Sequence, residues 1–156
     1  MPQKYDSDFI WNVLQKNRYC ILSSHADDGT INTRVMAFTC TRDLRRFYLL
    51  TTKDSTKLKD FSKNPSTSLV VFSPAKEIGD YSQIAVKGKI SIPSNLHTPE
   101  IRDGIRLYAE KTGMLGSDMD NNLLGNFVFL EMHTREVRFN IYLDILHNLP
   151  GIKIEF

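Results

Sequence analysis

Between Arg46 and Pro65 the chain changes its hydrophobic period, and that change narrows the folds open to it more than any other stretch. Phe47-Tyr48-Leu49-Leu50-Thr51-Thr52 is a short aromatic and aliphatic run with the length and composition of a strand buried on both faces. Beyond it Leu58 and Phe61 stand three apart, Lys57, Lys59, Asp60 and Lys63 fill the other positions, and Asn64-Pro65 stops the pattern. The second half is therefore a helix of roughly two to three turns, capped by Asp54 or Ser55. The junction gathers Thr and Ser hydroxyls, the free N–H groups of a helix start, and the cations Lys53 and Lys57. Helix starts attract anions because their first N–H groups are unpaired and the dipole is positive there, so a phosphate fits. The plainer reading is an ordinary strand-to-helix turn with a Ser or Asp cap and a solvated lysine face.

The rest of the chain supplies mostly strands. Ser7 to Lys16 carries Phe9, Ile10, Val13 and Leu14 on one stripe behind an Asp6 or Ser7 cap, which predicts an amphipathic helix; Trp11 lies off the stripe, placed to pack on a neighbouring loop or subunit. Tyr19 to Ser24 and Ile31 to Thr41 read as two strands joined at Asp27-Asp28-Gly29-Thr30. In the second of them Asn32, Arg34, Met36, Phe38 and Cys40 share a face, so Arg34 either reaches solvent at the strand's end or meets an anion; a structural salt bridge is the plainer option. Thr67 to Ser73 is a buried strand. Tyr81 to Ile92 alternates, with Ile84, Val86, Ile90 and Ile92 on one face and Gly88 interrupting it, which suggests a bulge or a barrel corner. Thr98 to Lys111 is a helix with Ile101, Ile105 and Tyr108 at helical spacing, and Gly113 to Asn122 is a polar loop. Phe127 to Met132 and Glu136 to Tyr142 are expected as a hairpin across His133-Thr134-Arg135, followed by an apolar tail broken at Pro150-Gly151. Six to seven strands, three helices and hairpin-length links make a mainly β (α+β) fold, an antiparallel barrel with peripheral helices, the best fit.

Composition removes several classes of function. The 156 residues are read as one domain over 1–156, large enough for a core without metals or disulfides. Net charge is +2 with Lys and Arg dispersed among Asp and Glu, which argues against nucleic acid as a partner. Cys20 and Cys40 sit inside probable strands without CxxC spacing, as buried reduced thiols of a cytoplasmic protein. No apolar run approaches a membrane span. His25, His97, His133 and His147 lie far apart with no metal-ligand spacing, so no metal site is expected. GxSxG, Walker and GxGxxG motifs are absent, and no paired carboxylates stand out. What remains is an anion site without chemistry of its own, the situation in which a bound cofactor carries the reaction.

The order of elements resembles the pyridoxamine 5′-phosphate oxidase-like, FMN-binding split-barrel superfamily, and within it the short members related to bacterial general stress proteins. The resemblance runs from the first helix to Tyr142 and rests on Asn32-Thr33-Arg34-Val35-Met36 after the turn, on Leu49-Leu50-Thr51-Thr52-Lys53-Asp54-Ser55-Thr56-Lys57, and on Gln83-Ile84-Ala85-Val86-Lys87-Gly88. It implies a split barrel that binds FMN, with Arg34, Ser55 and Lys57 on the phosphate. It also implies backbone groups of Val35, Met36, Leu49, Leu50, Thr51 and Thr52 against the isoalloxazine, an approach by Gln83 of the partner subunit, and a homodimer with the cofactor at the interface. The implied activity is a flavin-dependent oxidoreductase passing electrons or hydride to a small molecule. A flavin-storing or flavin-sensing protein without catalysis is the alternative, as is the same barrel carrying a deazaflavin or haem. The chain departs from the family twice. Its end, DILHNLPGIKIEF, lacks the Arg and Trp with which the true oxidases grip pyridoxal phosphate, so that substrate is not expected, and Val35 stands where close relatives often carry Pro.

Overall fold

Seven strands form one antiparallel sheet: β1 (Tyr19–His25), β2 (Ile31–Cys40), β3 (Arg46–Thr52), β4 (Ser66–Ser73), β5 (Ser82–Ser91), β6 (Phe127–Ile141) and β7 (Ile152–Glu155). This computed structural model describes residues 5–113 and 125–156. The order is β3-β2-β1-β4-β5-β6-β7, and β3 also pairs with β6. That second pairing closes the first six strands into a barrel and leaves β7 as an extra strand on the edge of β6. Around it lie α1 (Ser7–Lys16), α2 (Thr56–Lys63), α3 (Pro99–Thr112) and the short α4 (Tyr142–Leu146).

Alternation along the strands builds the barrel interior. Leu22, Phe38, Phe47, Leu49, Leu69, Val71, Ile84, Val86, Leu130, Met132 and Val137 point inward and are buried together with Ile10 and Leu14 of α1. The Asp6 carboxylate accepts from the Phe9 N–H at 2.8 Å and caps that helix. Trp11 packs on a neighbouring loop, where the Arg42 guanidinium lies 5.4 Å from its ring centroid. A second, smaller core explains why β3 reads as buried on both faces: Tyr48 and Leu50 point out of the barrel and are covered by Ile101, Ile105 and Tyr108 of α3, with Phe129 beside them. Pro99 at the start of α3 and Gly113, left-handed at φ 69, at its end follow the expected punctuation. The polar loop expected over 113–122 otherwise lies outside the described residues.

Four expectations are corrected. Phe127 to Ile141 is one strand of 15 residues and not a hairpin. His133-Thr134-Arg135 contains no glycine, asparagine or proline to turn the chain back, and the segment bends instead: Lys87 pairs with Glu136 but Gly88 pairs with Thr134, so Arg135 is the extra residue of a bulge. Tyr142 opens α4 and the apolar tail ends as β7. Ile92 lies beyond β5 and is exposed. Thr67 to Ser73 is covered on one face only, since Phe72 is 49 % exposed while Leu69 and Val71 are buried.

Gly88 is the corner expected from the sequence. A Cβ there would sit 2.2 Å from the His133 carbonyl oxygen, a backbone atom held in the β6 ladder. Gly88→Ala is therefore expected to lower stability by about 1–3 kcal/mol, the usual cost of overpacking a fixed site. An unchanged denaturant midpoint would show that the corner does not depend on this approach.

Candidate functional site

The barrel opens where β2 and β3 part. Their ladder joins only Phe38, Thr39 and Cys40 to Leu49, Tyr48 and Phe47, while the earlier residues of β2, Ile31 to Ala37, pair on the other edge with β1 alone. Arg34 to Ala37 on one strand and Leu50 to Thr52 on the other lie past the end of that ladder, on either side of the split. The chain leaves β3 at Thr52 and enters α2 after a three-residue turn.

Ser55, and not Asp54, is the cap of α2. Its Oγ accepts from the Lys57 N–H at 3.3 Å, which leaves the hydroxyl hydrogen free to donate outward. The α2 start also orients Lys57. Burial, and then the nearby charge of Arg34, hold the Lys57 amine below its ordinary range, and no carboxylate forms an ion pair with it among the described residues. The charge of Arg34 thus acts on the lysine at this helix start, and an anion there would relieve both.

Arg34 does have an internal partner. Its side chain is 18 % exposed; Nη1 donates to Ser24 Oγ at 2.9 Å and Nη2 lies 4.0 Å from Asp60 Oδ2. Burial lowers the Arg34 pKa and the Asp60 charge offsets part of that. Asp60 is itself only 5 % exposed, and it accepts from Ser24 Oγ at 2.7 Å and from Asn32 Nδ2 at 3.0 Å. Those two hydrogen bonds, with Arg34 adding to them, hold the carboxyl below its usual range. The structure shows the plainer option, an ion pair with a carboxylate, and Arg34 and Lys57 together carry one more charge than Asp60 balances.

The remaining candidates are distributed more widely. Val35 is 68 % exposed on the outer face of β2, and Met36 is buried inside. Leu49 and Thr51 point into the barrel, Leu50 lies under α3, and Thr52 is exposed at the edge of the split, so only backbone groups of the leucines can face it. Gln83 stands on β5, exposed and separated from β2 by β1 and β4. Ser55 and Lys57 share the start of α2, Arg34 reaches the same helix at Asp60, and Gln83 stands away from them.

Sequence reading misses Ser24, Asn32 and Asp60. Periodicity puts Asp60 on the solvated lysine face, although its position three beyond Lys57 and next to the buried Phe61 turns it toward the barrel. The signal available is Asn32, two before Arg34 on the same strand face.

Two other features do not form a site with these residues. A cleft of about 730 Å³ is lined by Ser24, His25, Lys87, Gly88, Arg135 and Phe156 among others, and shares with the cation pair only Ser24. His133 Nε2 lies 2.7 Å from Glu131 Oε1 and 3.1 Å from Ser91 Oγ. Because one ring nitrogen makes both contacts, the trio cannot relay a proton from serine to carboxylate as a hydrolytic triad does. No group of three or more His, Cys, Asp or Glu residues could hold a metal ion among the described residues. No helix among them is long and apolar enough to cross a membrane.

Comparison with known proteins gives the family. No curated protein sequence matches. Among solved structures, the chain is similar to a haem-binding protein from Mycobacterium smegmatis, with 10 % identity and a TM-score of 0.72, covering 90 % of this chain and 55 % of that one. It is similar to a protein from Clostridium acetobutylicum related to general stress protein 26 of B. subtilis, with 16 % identity and a TM-score of 0.66 over 97 % of each chain. An FAD-binding protein from Mesorhizobium loti matches with 19 % identity and a TM-score of 0.63 over 82 % of this chain and 88 % of that one. The chain thus spans about half the length of the first of these. At such identities these likenesses concern the fold. The profile described as pyridoxamine 5′-phosphate oxidase matches residues 8–141, most of the chain and all of the closed barrel, so the chain belongs to the pyridoxamine 5′-phosphate oxidase family.

Proposed function

We propose that the protein binds FMN in the split between β2 and β3 and works as a flavin-dependent oxidoreductase on a small molecule, as a homodimer. The observation that carries the reading is the half-buried Arg34, tied to Asp60 of α2 and to Ser24, with the unpaired Lys57 near enough for its charge to be felt, at a helix start capped by Ser55. An FMN phosphate carries roughly −1.5 to −2 charges near neutral pH, close to what the two cations and the helix start would balance. Ser55 would donate its free hydroxyl hydrogen to a phosphate oxygen, and Arg34 can present the nitrogens not engaged by Ser24. Bound flavin would supply the redox chemistry, and this chain would supply binding, orientation and exclusion of water. The FAD-binding neighbour supports a flavin; the haem-binding neighbour makes haem the second reading.

The dimer is supported by the outer face of the barrel. Val35, Ile21, Val70 and Ala85 stand in one row across β2, β1, β4 and β5, with Tyr19 and Phe72 next to them. Val35, Ile21, Tyr19 and Phe72 are exposed, an apolar surface of the kind that is covered in an assembly. Gln83 lies opposite Phe72 at its margin, where a second copy would bring it toward the split of the first.

The purified protein is expected to be yellow, with flavin absorption bands, and to sediment as a dimer. A colourless protein that takes up no added FMN, or a monomer with FMN bound, would count against the reading; a haem spectrum would select the second.

Hydrogen bonds to charged groups contribute about 1.5–3 kcal/mol each. Lys57→Ala should therefore weaken FMN roughly ten- to a hundredfold, and Arg34→Ala by at least as much because its fork reaches two oxygens. Riboflavin, which lacks the phosphate, should change far less in a titration of the same folded variants. Unaltered FMN affinity in folded Lys57→Ala would reduce the turn to a capped helix start.

A further inference from the structure

We infer that Asp60 is an internal counter-anion of this site: it holds Arg34 in place through Ser24 while the site is empty and opposes the negative charge of the ligand when it fills. The inference rests on the phosphate reading above and goes beyond it, since it makes Asp60 and Ser24 set how tightly the phosphate is held.

The geometry carries it. The contacts of the Asp60 carboxylate fall on Oδ2: Ser24 Oγ at 2.7 Å, Asn32 Nδ2 at 3.0 Å and Arg34 Nη2 at 4.0 Å. A serine hydroxyl has one hydrogen. Ser24 gives that hydrogen to Asp60, so its lone pairs face the other way and accept from Arg34 Nη1 at 2.9 Å. Asp60 thereby fixes Ser24 as an acceptor, and Ser24 fixes one edge of the guanidinium. The contacts cross from α2 to the β1–β2 pair, whose register places Ser24 opposite Asn32 and Leu22 opposite Arg34. Ser24 and Asp60 are both buried, so the chain of contacts is shielded from solvent and its charges act at short range.

Without a ligand, Asp60 is the only carboxylate within ion-pair distance of either cation among the described residues, and it faces Arg34 and not Lys57. A phosphate on Arg34 and Lys57 would bring a second anion to the same guanidinium. The carboxylate then has two opposing effects. Its hydrogen bonds pre-order Arg34, which favours binding, and its charge repels the incoming phosphate.

Asparagine separates the two effects. With the amide oxygen in the place of Oδ2, Asp60→Asn keeps the Ser24 and Asn32 hydrogen bonds and puts its nitrogen at the place of Oδ1, away from both. The charge alone is lost. Asp60→Asn should lower the melting temperature of the ligand-free protein, because Arg34 and Lys57 then repel without a counter-ion, and should bind FMN at least threefold more tightly. The threefold figure is about 0.7 kcal/mol. Riboflavin affinity should not follow. A residue that merely supports the fold would move both quantities the same way, so weaker FMN binding by folded Asp60→Asn overturns the inference. Ser24→Ala keeps both charges and removes the anchor of Arg34; it should weaken FMN at least threefold and leave riboflavin unchanged, and equal FMN affinity in that variant also overturns the inference. If the wild-type protein takes up no FMN, the site reading itself fails, and inorganic phosphate decides about Asp60: greater thermal stabilisation by phosphate in Asp60→Asn than in wild type supports it, and equal or smaller stabilisation refutes it.

Discussion

The barrel depends on one strand serving three neighbours. β6 keeps β5 along one edge from Glu131 to Ile141, while its other edge pairs first with β3 and then with β7. A flat strand of 15 residues could not follow both halves of a closing sheet, since twist accumulates from strand to strand. The bulge at Arg135 opposite Lys87 and Gly88 provides the bend, and the bare Gly88 lets the His133 carbonyl approach. Along the other edge of β3 the ladder with β2 is only three pairs long, and the split falls there. It opens beside Arg34 and the start of α2 because those are the segments that follow the last shared pair.

Electrostatics at that opening are arranged with economy of groups. Burying Arg34 alone would be costly, and a single carboxylate on α2 makes it tolerable while also tying the helix to the β1–β2 pair. Lys57 receives no such partner. The amine at Lys111 shows what a structural cation looks like in this protein. It is enclosed near Cys20 and Cys40, burial pushes its pKa down to about 8, and it donates to the Leu14 carbonyl at 3.0 Å while lying over the Phe38 ring. It joins α3 to the end of α1. Lys57 differs: the charge that acts on it, that of Arg34, repels it, and no carboxylate among the described residues pairs with it.

Local features are faithfully legible in the sequence, and assembled ones less so. Period changes locate α1, β3, α2 and β5. Gly88 marks a corner before any strand is paired, because a glycine on an apolar face forfeits a core side chain and so signals a close approach of backbone. The last hairpin fails for a reason of the same kind turned around. His133-Thr134-Arg135 is polar enough to resemble a turn, but a bulged strand between two ladders is equally polar at its exposed positions, and only the pairing with β3, β5 and β7 distinguishes them. Arg34, Ser55 and Lys57 are legible because cations beside a helix start form a recognisable group. Asp60 is not, since its partners Ser24 and Asn32 lie 36 and 28 residues away and meet it only when the barrel forms.

The outer face raises the same question at a larger scale. Thr67 to Ser73 reads as a buried strand, yet in the single chain one side is open at Phe72. For β3 the same kind of pattern is accounted for by α3. For β4 and its neighbours no element of the described chain plays that part, although Ile21, Val35 and Phe72 give the surface the composition of an interior. A sequence pattern records every surface that is removed from water, whether by the same chain or another. Patterning that exceeds what one copy buries is what a chain would show if its outer sheet were completed by a second. The split lies at one margin of that sheet and Gln83 at the other, so covering the sheet and lining the site would then be a single packing event.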